Sequence, residues 1–332
     1  MRPIKRETGL VGFGKLCSVW LVTRRPPKRL PLKAVGVISC CGVFTPGLAD
    51  TNRPLISVEL PIKVRHGDLL IETRINGSQP LTFKLDTGFG ITTINPDRVE
   101  SLNLKRVGQM TIMGIAGEEQ ADTYSGAAFE FGSMTYNPRR VAALPSEARR
   151  RWRNRDGILG AGFFRRFVVE LDVQNGRMRL YEPESFSYTG SGEVLPLEFK
   201  RDTPIVEAAI VPRKGEVVSG RFEIDTGCDD FMCLGHEFVE ANHLAGVTNS
   251  NDFRHGIGGT APIRQTVLAE LHLGKLIVKK PSANCFMEGS PAGKGQAGHI
   301  GLAALERFKM IFDYSRRQLI LEPQGSSSQE NR

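Results

Sequence analysis

Two acidic residues stand in matching surroundings. Asp86 closes the run Leu81-Thr82-Phe83-Lys84-Leu85 and is followed by Thr87-Gly88. Asp225 closes Arg221-Phe222-Glu223-Ile224 and is followed by Thr226-Gly227. Each is a carboxylate at the end of a strand-like segment, at a turn. One such tripeptide is an ordinary turn sequence, because Asp bonds its own backbone and Gly supplies a positive φ. Two of them allow chemistry if they meet. Two carboxyls held within hydrogen-bonding reach cannot both ionise, so they share one proton. The ionised member can then take a proton from a water while the protonated member donates to a carbonyl oxygen. We take Asp86 and Asp225 as the candidate catalytic pair.

More than the tripeptide repeats. Gly157-Ile158-Leu159-Gly160-Ala161-Gly162-Phe163-Phe164-Arg165-Arg166-Phe167 matches Gly298-His299-Ile300-Gly301-Leu302-Ala303-Ala304-Leu305-Glu306-Arg307-Phe308, and Asp172 matches Asp313 at the same offset of 141. The two acids differ by 139. A near-constant offset across both halves predicts two structural units on one plan.

These motifs carry a resemblance. Asn76-Gly77 before Pro80-Leu81-Thr82-Phe83-Lys84-Leu85-Asp86-Thr87-Gly88, joined to Ile158-Leu159-Gly160, resembles a retropepsin-like aspartic protease of the bacterial exported type, duplicated into one bilobal chain as in the pepsin-like enzymes. The likeness runs from about Asp68 to Pro323. It implies a mainly β, bilobal acid-protease fold: two pseudo-twofold-related, β-barrel-like lobes with short helices. It also implies endopeptidase activity on an extended polypeptide bound as an added strand, with no metal and no organic cofactor. By the same resemblance Thr87 and Thr226 tie the lobes together, Gly88 and Gly227 let backbone N–H groups approach the carboxylates, and the strand ending at Gly160 braces the Asp turn. Gly114 and Gly117 are candidates for the tip of a covering hairpin, and Gly258 for its counterpart. Both acids lie in one chain, so no dimer is required.

Three departures bear on the chemistry. Phe89 and Cys228 follow the Asp-Thr-Gly copies where many relatives carry Ser or Thr, and His299 replaces a usual aliphatic residue. Losing a donor to the charged form raises a carboxyl pKa, so we expect a working range nearer neutral than pepsin's. Asp229 and Asp230 would raise it further if they faced the site. The same departures leave a second reading open, a catalytically inactive peptide-binding or envelope-associated pseudoprotease.

The elements that must position the acids are strands. Residues 69–75 alternate, Asn76-Gly77 turns, and 81–85 returns as a hairpin. Residues 91–94 are β-rich, Asn95-Pro96 caps a short helix, and 110–115 with 120–124 form a glycine-tipped hairpin. In the second half, 204–211 and 217–224 pair, Gly235-His236-Glu237 leads a helix to about 241, and 256–260 tip a second hairpin. Phe163, Phe164 and Phe167 read as core. The linker is expected over 184–192, giving lobes at 50–187 and 188–323 and a disordered tail at 324–332. Residues 50–67 give no clear signal.

Charge needs partitioning. The net charge is +8, but residues 1–49 hold nine Lys or Arg and one Glu, so the remainder is neutral. A nucleic-acid binder would keep its basic surplus in the folded part. Residues 1–49 read as an export leader: basic residues from Arg24 to Lys33, an apolar run over 34–44 too short to span a bilayer, and small residues before Asp50. This predicts an exported, periplasmic protein. The alternative, a lipoprotein-type signal at Val37-Ile38-Ser39-Cys40, would lipidate Cys40 and associate the protein with a membrane. Seven arginines fall within 139–155, which reads as a solvated face or as a basic rim. Cys228, Cys233 and Cys285 follow the leader, and Cys285 could pair with either of the others.

Overall fold

Alternating apolar and polar residues build the frame. Asp68–Ile75 buries every second side chain and pairs antiparallel with Leu81–Leu85. The turn between them needs positive φ at Asn76 and Gly77 (52° and 73°). These residue types adopt that conformation most readily. Thr203–Val211 and Val218–Asp225 repeat the arrangement in the second half. The computed structural model describes residues 57–144, 155–200, 202–213, 215–244, 252–290 and 293–324. The expected leader, Cys40, and Arg149, Arg150, Arg151 and Arg153 lie outside the described residues.

Each Asp-bearing strand takes a parallel neighbour from the repeated aliphatic-glycine segment. Gly157–Leu159 runs beside Leu81–Leu85 with Ile158 opposite Lys84. Gly298–Gly301 runs beside Val218–Asp225 with His299 opposite Glu223. The two halves meet in a shared sheet, where Val168–Asp172 pairs antiparallel with Phe308–Asp313. Glu170 faces Ile311 there, and these are repeat equivalents at the offset of 141. Equivalent residues pairing with each other across an antiparallel ladder is what a local twofold axis requires. The fold is mainly β, as the resemblance implies.

Phe163, Phe164 and Phe167 are buried core. Phe163 packs against Phe131 and Tyr136, and Phe164 packs edge-on against Phe312 of the other half at 5.3 Å. Asn95 caps a single 3-10 turn, Pro96–Arg98, by accepting from the Asp97 N–H. His236–Ala241 is helical as expected.

Three expectations change. Ser57–Arg65, which gives no clear sequence signal, is a nine-residue strand. It pairs with Arg177–Tyr181 up to Pro61 and with Asp68–Ile75 from Ile62 onward. Pro61 sits where the strand changes partner, a position that tolerates a missing donor. The expected linker is packed down: Phe186 is buried, and the Tyr188 hydroxyl donates to Glu322 and accepts from the Gly192 N–H. Gln324, assigned to the disordered tail, donates to the Asp172 carboxylate at 2.8 Å; residues 325–332 lie outside the described residues.

Candidate active site

Asp86 and Asp225 come together. Each sits at the C-terminal end of its strand, and each turn is braced from the neighbouring segment. The Asp86 N–H donates to the Leu159 carbonyl (3.1 Å), and the Ala161 N–H donates to the Phe89 carbonyl (2.8 Å). In the second half the Gly301 N–H donates to the Phe231 carbonyl (3.0 Å), and the Leu302 N–H donates to the Cys228 carbonyl (2.7 Å). A side chain at Gly160 would strike the Phe89 carbonyl, and one at Gly301 the Asp230 carbonyl. Both glycines are therefore set by close backbone approach. The two carboxyls are neighbours at this junction, close enough for the charge of Asp225 to act on Asp86.

The halves also interlock at the glycines. A Cβ on Gly88 would lie 2.6 Å from Cγ of Asp225, and one on Gly227 would collide with the Asp86 carboxyl. The backbone at each Gly thus lies against the opposite carboxyl. Gly227 N–H also donates to Asp225 Oδ1 at 2.8 Å. Beneath the acids the two threonines are fully buried. The Thr87 hydroxyl donates to the Ile224 carbonyl (2.6 Å) and accepts from the Thr226 N–H (3.0 Å). The Thr226 hydroxyl donates to the Leu85 carbonyl (3.0 Å) and accepts from the Thr87 N–H (3.1 Å). Four buried backbone groups from two halves are satisfied by two hydroxyls.

Electrostatics around the pair follow from burial. Burial, then the charge of Asp225, pushes the Asp86 carboxyl up to about 7, while nearby Lys84 pulls it down. Lys84 is itself buried, pairs with Asp68 at 2.9 Å and donates across the halves to the Gly227 carbonyl. Arg155, from the end of the arginine run, also pairs with Asp68, and its side chain is only 13% exposed. It does not belong to a solvated face, whereas Arg139 and Arg140 are exposed.

The second half carries the same polar positions with other residues. Glu223 stands where the first half has Lys84, and His299 where it has Ile158. Glu223 accepts from the Thr203 hydroxyl (2.9 Å) and lies 3.3 Å from His299 Nδ1. Burial opposes a charged His299, but the hydrogen bond to Glu223 and the charges of Cys228, Glu223 and Asp225 raise it to about 9. His299 is therefore the cation of an ion pair behind Asp225. Asp230 is taken up by Arg254 through two contacts of 2.7 Å, and Asp229 lies against Gly67 near Arg155.

Two hairpins reach over these turns. Lys105–Met113 pairs with Glu118–Ser125 and ends at Gly114 to Gly117; Asp252–Gly256 pairs with Gly259–Val267 and ends at Ile257-Gly258. The tips touch, with the Ala116 N–H donating to the Ile257 carbonyl (3.3 Å) and the Gly258 N–H to Glu119 (3.1 Å). Side chains at Gly114 and Gly258 would collide with the opposing tip, so the three candidate tip glycines lie at this junction. Ile257 is buried in a cluster with Phe89, and Ile115 packs into one with Cys228 and Cys233. Phe89 and Cys228 thus belong to the apolar clusters that seat the tips.

Comparison with known proteins fits this geometry. A family model described as aspartyl protease matches residues 71–163. The aspartic proteinase from Irpex lacteus superposes with a TM-score of 0.54 at 13% identity, covering 82% of this chain and 99% of that one. The chain has the aspartic proteinase fold. No curated protein matches it in sequence. The family match lies in the first half, while the structural coverage extends well into the second. Family segment and fold agree in likening this chain to aspartic-type peptidases.

Sequence reading missed Asp68, Lys84, Arg155, Thr203 and Glu223 as neighbours of the site. A signal was present: Lys84 and Glu223 are charged residues two positions before each Asp, each between two apolar residues.

Proposed function

We propose that the chain is an active endopeptidase hydrolysing peptide bonds by general acid/base activation of water between Asp86 and Asp225. The observation that carries this reading is that each carboxyl lies against the glycine of the opposite half's Asp-Thr-Gly turn, which puts the two acids side by side at the junction of the halves. With one proton between them, the ionised carboxyl takes a proton from the bridging water as that water attacks the scissile carbonyl carbon. The protonated carboxyl gives its proton to the carbonyl oxygen. Collapse of the tetrahedral intermediate then expels the amine, which receives a proton from the pair.

The substrate is an extended polypeptide whose main chain bonds as an added strand beneath the hairpins. The tips must part to admit it and close to exclude water. Cleavage of a denatured protein substrate tests the proposal. Asp86→Asn and Asp225→Asn should each abolish it while leaving the thermal transition in place. Cleavage surviving either substitution defeats the two-carboxyl reading, and no cleavage by the unaltered protein returns the pseudoprotease.

A further inference from the structure

The thiols of Cys228 and Cys233 take no part in the proposed hydrolysis. Their sulfurs lie 3.9 Å apart, in contact, with Cys233 Sγ also donating to Asp230 at 3.4 Å. Cys233 is buried and Cys228 is half-buried. A disulfide needs the sulfurs at about 2 Å, a closure within reach of side-chain rotation when no atom stands between them. Only four residues separate the two, so closing the loop has a small entropic cost.

Two alternatives fit less well. Asp230 together with the thiols offers three ligand atoms within 4.8 Å of one another, but its carboxylate is already neutralised by the Arg254 guanidinium. A cation there would have to displace that arginine. Cys285 was the expected partner, yet it stands opposite Leu234 on the neighbouring strand, with Cys233 opposite Asn284. Side chains alternate along a strand, so Cys285 and Cys233 point to opposite faces. Their membership of different apolar clusters agrees.

We propose that Cys228 and Cys233 are a modification site, closing a reversible disulfide by exchange with a small-molecule disulfide. Cys228, the more accessible, attacks one sulfur of the oxidant as its thiolate, expelling one thiolate and forming a mixed disulfide. Cys233, as thiolate, then attacks Cys228 Sγ and expels the second. The protons of both cysteines end on the two thiols released.

The bond ties the turn after Asp225 to the strand Met232–Leu234. It also remakes the floor of the seat that holds Ile115. Oxidation state is thereby linked to the hairpin above the site.

The test uses the full chain treated with oxidised glutathione in the presence of a chelator. Unfolding in excess alkylating agent and peptide mapping then follow. Cys228 and Cys233 should lose alkylation together, regain it with dithiothreitol, and keep this behaviour in Cys285→Ser. In Cys228→Ser, Cys233 should stay alkylatable. A stable glutathione adduct on Cys228 with Cys233 free, or a Cys233–Cys285 link, overturns the proposal. So does protection of both thiols that appears only when zinc replaces the chelator. None of these readouts depends on peptidase activity, so the proposal can fail or stand apart from the proposed function.

Discussion

Ile115 and Ile257 each lodge in the half of the molecule opposite their own, Ile115 beside Cys228 and Ile257 beside Phe89. Each hairpin therefore closes over the other half's Asp turn, and the closed state is held by apolar contact more than by the few tip hydrogen bonds. Ile257 is 5% exposed, and burying such a side chain contributes roughly 1.5–3 kcal/mol. Ile257→Ser should raise hydrogen exchange at 114–117 and 257–258 while core strands stay protected. Unchanged exchange at the tips would show that the isoleucine seats do not hold them.

The threonine exchange predicts a coupled loss. Thr87→Val strips partners from the Ile224 carbonyl and the Thr226 N–H, and each buried unsatisfied group costs about 1–3 kcal/mol. Urea denaturation should show Thr87→Val and Thr226→Val each destabilising. The double variant should depart from the sum of the two losses, because both hydroxyls belong to one buried network across the halves. Strict additivity would mean the hydroxyls act independently.

The Asp86 shift gives a pH prediction. The pair works with one proton, and Asp86 gives up its proton near pH 7. The rate should therefore fall as pH rises through that value. An optimum below about 4, near an unperturbed carboxyl, contradicts this. Lys84 holds Asp86 down, so Lys84→Met should move the alkaline limb of kcat/KM to higher pH. Breaking its buried pair with Asp68 should also cost about 3 kcal/mol of stability.

His299 and Glu223 link stability to pH. His299 is raised from 6.5 to about 9, so its contribution is complete below pH 6.5 and is lost as pH rises through 9. Glu223 is lowered from 4.5 despite its burial, chiefly by the His299 hydrogen bond, so its contribution is present above pH 4.5 and lost on acidification. The pair therefore stabilises most between 4.5 and 6.5. His299→Ile, copying Ile158 of the first half, should destabilise near pH 6 by on the order of 3 kcal/mol and much less near pH 10. Melting temperatures across that range check the sign.

Gly227→Ala places a methyl group into the Asp86 carboxyl. It should remove activity with a far smaller loss of stability than the threonine changes, since the displaced group is a side chain beside the cleft. Activity within about twofold of the unaltered protein, a difference worth roughly 0.4 kcal/mol, would show that the backbone can yield there.

The repeat made much of this protein legible in one dimension. Asp86 and Asp225, the strands that carry them, the bracing glycines and the hairpin tips follow from local pattern, because alternation, turn chemistry and a constant offset are all properties of neighbouring residues. The strand Ser57–Arg65 escaped because Pro61 interrupts its pattern, and the reason it is tolerated, a change of partner, is not local. Lys84 and Glu223 looked like ordinary polar strand positions. Only packing put them under the acids, with Asp68, Arg155, Thr203 and His299 gathered from distant segments. Phe89 and Cys228 read as lost hydroxyls, and only the folded chain shows them receiving the opposite hairpins. The sequence by itself determined which residues repeat and what chemistry a pair of carboxyls could do. The tertiary structure decided that the carboxyls lie side by side and what charges stand behind them, because both depend on two halves meeting across an axis that no stretch of sequence contains.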